Sequence, residues 1–217
     1  MISAGETQLT GMRPRRSRAE ARGKAETILA AAERAFLASG FGAVTMDAIA
    51  REAGVSKATV YAHFTGKEAL FGAVIAHVSE RRYDGFSIEA LDPRDIEASL
   101  TTIAHRFLDL VLAPEVIALN RIIIGEVTRF PVLAQVFWEA GPERTRQQLE
   151  TFFRRAGAAG VVAVRDPRLA AEQFAALARG EIHLRGLFRV EEPGDPTALS
   201  AAAASAVATF LRAFRRR

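Results

Sequence analysis

Residues 45–64, TMDAIAREAGVSKATVYAHF, hold two helix starts with a glycine between them, and that spacing leaves few folds open. Thr45 is a side-chain N-cap with Asp47 in the first turn behind it, and Met46, Ile49, Ala50 and Ala53 form the apolar stripe of a short helix. Gly54 ends that helix, Val55 follows the turn, and Ser56 caps a third helix running through Phe64. Two short helices across a tight glycine turn make a helix-turn-helix pattern, whose second member enters the major groove of DNA.

Within that second member Val60 and Phe64 are four apart and face inward, so Lys57, Ala58, Thr59, Tyr61, Ala62 and His63 take the outer surface or its edges. Lys57 can donate to guanine acceptors, Thr59 can bond a base edge or touch a thymine methyl, and Ala58 allows close approach. Tyr61 and His63 suit phosphate oxygens, which fix register. Taken singly, Tyr61 would be a half-buried ring with a wet hydroxyl and His63 a surface histidine; beside the helix-turn-helix the DNA role is preferred. Thr65 and Glu68 form a T-x-x-E capping box that starts a fourth helix at Gly66. Lys67 then lies in the first turn, where the helix dipole disfavours a cation, and a phosphate bound by Lys67 and the free backbone N–H groups would explain it.

Upstream, Arg13, Arg15, Arg16, Arg18, Arg22 and Lys24 are interrupted by one acid, Glu20, while the whole chain carries a formal charge of only +4. The surplus is therefore concentrated in an arm that suits phosphate contact, with Arg15 and Arg16 as its candidates; a charge run alone would be a solvated tail. Residues 1–17 are expected to be a disordered basic arm. Ala25, Ile28, Leu29, Ala32 and Phe36 repeat at helical spacing up to Gly40, which predicts helix one over Arg18–Ser39.

The stretch from about Ala21 to Phe71, with TMDAIAREAGV, SKATVYAHF and KEAL, resembles the DNA-binding domain of TetR-family transcriptional regulators. The resemblance implies an all-α homodimer: an N-terminal three-helix helix-turn-helix DNA-binding domain, 18–66, and a C-terminal helical ligand-binding and dimerisation domain, 67–217, in which 67–82 is a connecting helix. It also puts Thr45, Tyr61, His63 and Lys67 on phosphate-contacting positions and Ser56, Lys57, Ala58 and Thr59 on the operator-facing edge. NRIIIGEVTRFPVLAQVFWEAGP and RDPRLAAEQFAALARG, between roughly Leu119 and Gly186, resemble the C-terminal domain of the family's AefR-like branch.

Helical patterns fill this second half, near Ile96–Leu112, Pro114–Thr128, Pro131–Glu139, Pro142–Ala156, Pro167–Val190 and Pro196–Arg215, five of them opened by proline. Phe107, Val111, Ile122, Glu126, Phe130, Phe137, Trp138, Phe152, Phe153, Phe174 and His183 are candidate lining for a small-molecule pocket, though each aromatic taken alone suits core packing as well. Arg121, His105, Glu126 and His183 could orient a ligand or pair with one another. The alanine-rich faces around Phe174 and Ala178, and around Ala203, Val207, Phe210 and Phe214, suit close helix approach, and a dimer interface is expected there.

The sequence has no cysteine, which excludes disulfides and thiolate metal sites and fits a reducing compartment, the cytoplasm. No apolar run approaches the roughly 18–20 residues of a bilayer span, so no membrane partner is expected. An enzyme using His105, Glu126 and His183 is the first rival, but none of the usual catalytic signatures is present. An architectural binder relying on charge alone is the second, and the concentration of surplus charge in one arm disfavours it. The expected protein is a non-enzymatic, cofactor-free repressor of a palindromic operator, released by a small, largely apolar effector.

Overall fold

The structure is a computed structural model and describes residues 15–83, 88–190 and 195–215. Arg13 and the rest of the arm up to residue 14 lie outside the described residues, as do the side chains of Arg15 and Arg16. Helix α1 (Arg15–Ala43) starts three residues earlier than the periodicity predicts, so residues 15–17 are helical and not part of an irregular arm. It is broken at Gly40, whose φ of 75° and ψ of 172° are non-helical.

Next come α2 (Met46–Glu52), α3 (Lys57–His63) and α4 (Lys67–Tyr83). Thr45 accepts from the Ala48 N–H at 3.1 Å and Ser56 from the Thr59 N–H at 3.1 Å, so both helices begin on the caps that the sequence supplies. Gly54, at φ 65°, turns the chain between them in a backbone conformation that costs a side-chain-bearing residue about 1 kcal/mol or more.

A 3₁₀ turn lies at Ile88–Ala90, and α5 (Ile96–Val111), α6 (Pro114–Glu126), α7 (Val132–Ala140), α8 (Pro142–Ala158), α9 (Pro167–Leu187) and α10 (Pro196–Phe214) follow. Proline takes the first helical turn of α6, α8, α9 and α10, while Pro131 is the N-cap residue of α7. Asp166 and Asp195, each just before such a proline, cap α9 and α10 with their carboxylates. Among the described residues all regular structure is helical, apart from an isolated bridge between Val162 and Arg215.

Two apolar clusters hold the helices. In the first, Ile28, Phe36, Phe41, Ile49, Val60, Leu70 and Phe71 of α1–α4 pack with Leu119, Ile123 and Leu133 of α6 and α7. The expected boundary at residue 67 therefore falls inside a continuous core. In the second, α5, α8, α9 and α10 surround Phe152, Phe153, Phe174 and Phe210, with Phe153 and Phe210 centroids 4.8 Å apart. Phe152, Phe153 and Phe174 are each shielded completely from solvent, which removes them from the candidate pocket lining.

All but one of the expected dimer residues are corrected in the same way. Phe174, Ala178, Ala203 and Phe210 are fully buried within the subunit and Val207 nearly so, while Phe214, which stacks on Phe210, is only half-buried and remains a candidate. The faces left outside are different: Leu177, Leu184 and Phe188 on and just after α9, and Ala201, Ala204 and Ala208 on α10. Helix α10 has the length and mean hydropathy, 1.4, of a membrane span, contrary to the sequence reading, because both of its sides are apolar. Its Ala203, Val207, Phe210 and Leu211 side is nevertheless part of the core.

Candidate nucleic-acid interface and the cavity behind it

Helix α3 sits on the rest of the molecule through Val60, which is fully buried, and Phe64, which packs against the same cluster. Its remaining side chains point out: Ser56, Lys57, Ala58 and Tyr61 are exposed, Thr59 and His63 half-buried. Tyr61, 46% exposed, stands beside Lys57, whose Nζ lies 6.0 Å from the ring centroid. Thr45 is exposed at the start of α2. These residues share one surface with a hydroxyl pair, Ser56 Oγ and Thr59 Oγ1 at 2.8 Å. Lys57 reaches back to Asp47 of α2, Nζ to Oδ1 2.8 Å, and the hydrogen bond and charge of that carboxylate push the lysine pKa up.

Lys67 departs from its expected role. Its Nζ donates to the Phe41 carbonyl at 2.8 Å and the Val44 carbonyl at 2.9 Å, with that of Gly42 at 3.5 Å, and lies 4.3 Å from the centroid of the Phe41 ring. The ammonium is thus committed to the corner between α1 and α2, satisfying carbonyls that no helix uses. The same corner is gripped from the other side: the Gly42 N–H donates to Glu126 Oε1 at 2.9 Å. A Cβ at Gly42 would lie 3.1 Å from that oxygen.

Glu126 ends α6, and α6 is one wall of a cavity of about 530 Å³ lined by α4 (Ile75, Val78, Ser79), α5, α6, α7, α8 and α9. Of the residues expected to line a pocket, Phe107, Val111, Phe137, Trp138 and His183 do so. Ile122 and Phe130 pack against the α1–α4 cluster instead, Glu126 is bonded to Gly42, and Phe153 and Phe174 belong to the second core. Leu119, Asn120 and Ile123 on α6 and Ala171, Ala175 and Arg179 on α9 also line the cavity and were not expected from the sequence. The i, i+3/i+4 spacing of the first set was available as a signal, but a stripe of that kind looks the same whether it meets a cavity or a neighbouring helix.

The polar groups of the cavity differ in freedom. Arg146 is held by Glu143 and Glu150, and Glu172 pairs with Arg168. Arg146 and Gln147 in turn keep the Glu143 carboxyl down at about 2. His183 lies 3.5 Å from Asn120; burial, helped by the charge of Arg179, pushes its pKa down to about 4, so the ring is neutral near pH 7. Arg121, another candidate, caps the end of α9 by donating to the Gly186 and Leu187 carbonyls at 2.7 and 2.9 Å.

Residues 98–216, more than half of the chain, match the family model of the AefR-like transcriptional repressor C-terminal domain, and residues 28–74 match that of the tetR family of bacterial regulatory proteins. The chain belongs to the TetR family. The HTH-type transcriptional regulator TtgW of Pseudomonas putida is 34% identical over 110 residues, which are 51% of this chain and 79% of that one. The solved structure of the flavonoid-responsive regulator FrrA is 37% identical, with a TM-score of 0.74 over 89% of this TetR-family chain and 98% of its own. A TetR transcriptional regulator from Agrobacterium tumefaciens is 25% identical with a TM-score of 0.75, over 89% of this chain and 95% of its own. This TetR-family protein is accordingly a transcriptional regulator with a DNA-binding domain, and its relatives are regulators, not enzymes.

Proposed function

We propose that the protein is a cytoplasmic repressor, a homodimer that binds a palindromic operator through α3 and leaves it when a small, largely apolar effector fills the cavity. Ser56, Lys57, Ala58 and Thr59 meet base edges in this reading, while Thr45, Tyr61, His63 and the arginines at the start of α1, Arg15 and Arg16, meet phosphates. The phosphate nearest α4 falls to its free backbone N–H groups, with Lys67 bracing the corner beneath. The second copy docks on the exposed side of α9 and α10, where Leu184 and Phe188 stand clear of the core.

One observation carries the release mechanism: the Gly42 N–H bond to Glu126 joins a cavity wall to the helix-turn-helix. Both grips on the α1–α2 corner come from helices that line the cavity, Lys67 on α4 and Glu126 on α6. An effector that prefers a displaced α6 shifts the population toward a state in which that corner, and α2 and α3 with it, is reoriented. The cavity's aliphatic and aromatic walls, with Asn120, Arg179 and neutral His183 as polar points, suit a small aromatic molecule with one polar end. FrrA, the flavonoid-responsive relative, makes flavonoids the first probes.

The test uses duplex DNA selected by the wild-type protein from a fragment library. A releasing flavonoid should weaken wild-type binding, whereas Glu126→Ala should keep its DNA affinity and lose about 5-fold of that effect. A response as large as wild type's contradicts the relay. Failure of every molecule in a broad apolar library to release wild type contradicts the effector reading.

A further inference from the structure

The ion pair between Asp47 and Lys57 joins the helix before the turn to the recognition helix, on the exposed surface of both. Side chains on either side are open to solvent, 58% for Asp47 and 60% for Lys57, so neither is needed to hold the fold. An acid at this place is unexpected on a surface that meets a polyanion, because it repels phosphates. It also occupies the one cation that the exposed face of α3 offers: the other outward residues there are Ala58, Thr59, Tyr61, Ala62 and His63.

The strength of this pair decides what can displace it. An exposed ion pair favours its closed form by a factor of about 5 at most. A phosphate oxygen offers lysine a contact of the same kind in the same solvent, so exchanging Asp47 for phosphate gains little. The N7 and O6 acceptors of guanine, met squarely in the major groove, are worth roughly 5- to 150-fold over a wrong base. The ammonium of Lys57 has three N–H donors, so it can keep Asp47 while the other two meet guanine, whose acceptors are neutral, whereas a phosphate is an anion that competes with Asp47 for the same cation.

We propose that Asp47 is a specificity-determining residue, a competing anion that withholds Lys57 from phosphates and stays paired with it while the lysine's free N–H groups meet guanine. This rests on the reading of α3 as the base-contacting helix. Asp47 thereby weakens binding to arbitrary DNA more than binding to the operator. Thr45 and Ser56, the caps of the two helices, hold the pair's register, so the competitor and the cation keep their spacing as the domain docks.

The experiment compares wild type, Asp47→Asn, Lys57→Ala and the double variant on two 30-base-pair duplexes, one of mixed sequence and one selected by wild type, across a salt series. Asp47→Asn should tighten binding to the mixed duplex about 5-fold and steepen its salt slope by about 0.9, as one more cation reaches phosphate. Binding to the selected duplex should change less than about 2-fold, so the specificity ratio falls. With Lys57→Ala in place, the same Asp47 change should have less than about 2-fold effect on the mixed duplex. An equal gain on both duplexes, or a gain that persists without Lys57, overturns the proposal in favour of simple charge removal. Wild type that fails to bind either duplex overturns the DNA-binding reading itself.

Discussion

Lys67→Met lowers the melting temperature by about 6–12 °C and leaves the salt dependence of DNA binding unchanged. Methionine, one atom shorter, keeps most of the apolar stem but loses the hydrogen bonds to the Phe41 and Val44 carbonyls and the cation over the Phe41 ring. Hydrogen bonds to a charged donor contribute about 1.5–3 kcal/mol each, and the half-buried site lets water recover part of the loss, so a total near 3 kcal/mol is expected. For a chain of this size each kcal/mol is worth roughly 2–4 °C. Thermal unfolding followed by circular dichroism measures the shift. A lysine bound to phosphate would give the opposite pattern: near-native melting with a salt slope shallower by about 0.9.

The second large effect belongs to Phe210. Phe210→Ala should destabilise the protein by about 3–5 kcal/mol, since the ring is fully buried and touches Phe153, Phe174 and Phe214 with centroids 4.8, 5.3 and 4.4 Å away. Denaturant unfolding reads this as a lower midpoint at unchanged slope. Were Phe210 an interface residue, the same substitution would leave the folded subunit intact and raise the dimer dissociation constant, which sedimentation at falling concentration would detect. Phe188, 73% exposed, is where that second pattern is expected.

What the sequence made legible was local. Thr45 and Ser56 cap the next helix within three residues, and Val60 and Phe64 identify the inward side of α3 by spacing alone. The cation at Lys67 was legible as an anomaly, but its acceptors lie 23 to 26 residues away and reach it only through the tertiary fold. Position in a first helical turn therefore suggested a phosphate where the protein supplies its own carbonyls.

The second half shows another limit. Helix α10 is apolar on both sides, so periodicity could find an interface-like face without telling which side meets the core. Phe107 and Phe137 line the cavity while Phe153 and Phe174 fill the interior, though all four are phenylalanines at helical spacing. A lone glycine inside a helical pattern was equally silent: Gly180, at φ 47° and ψ −153°, breaks α9 between Arg179 and His183. The bond from Glu126 to Gly42 spans 84 residues, beyond the reach of any local pattern.

The most direct measurement of the account is the affinity of Ala58→Glu for the duplex that wild type selects. Ala58 is exposed on α3, so the change touches the outer face alone. A carboxylate there should cost about 100-fold in affinity by repelling the duplex and blocking close approach, while the melting temperature stays within about 2 °C of wild type. Undiminished binding by a folded Ala58→Glu protein would contradict the claim that α3 is the surface through which this regulator reads DNA.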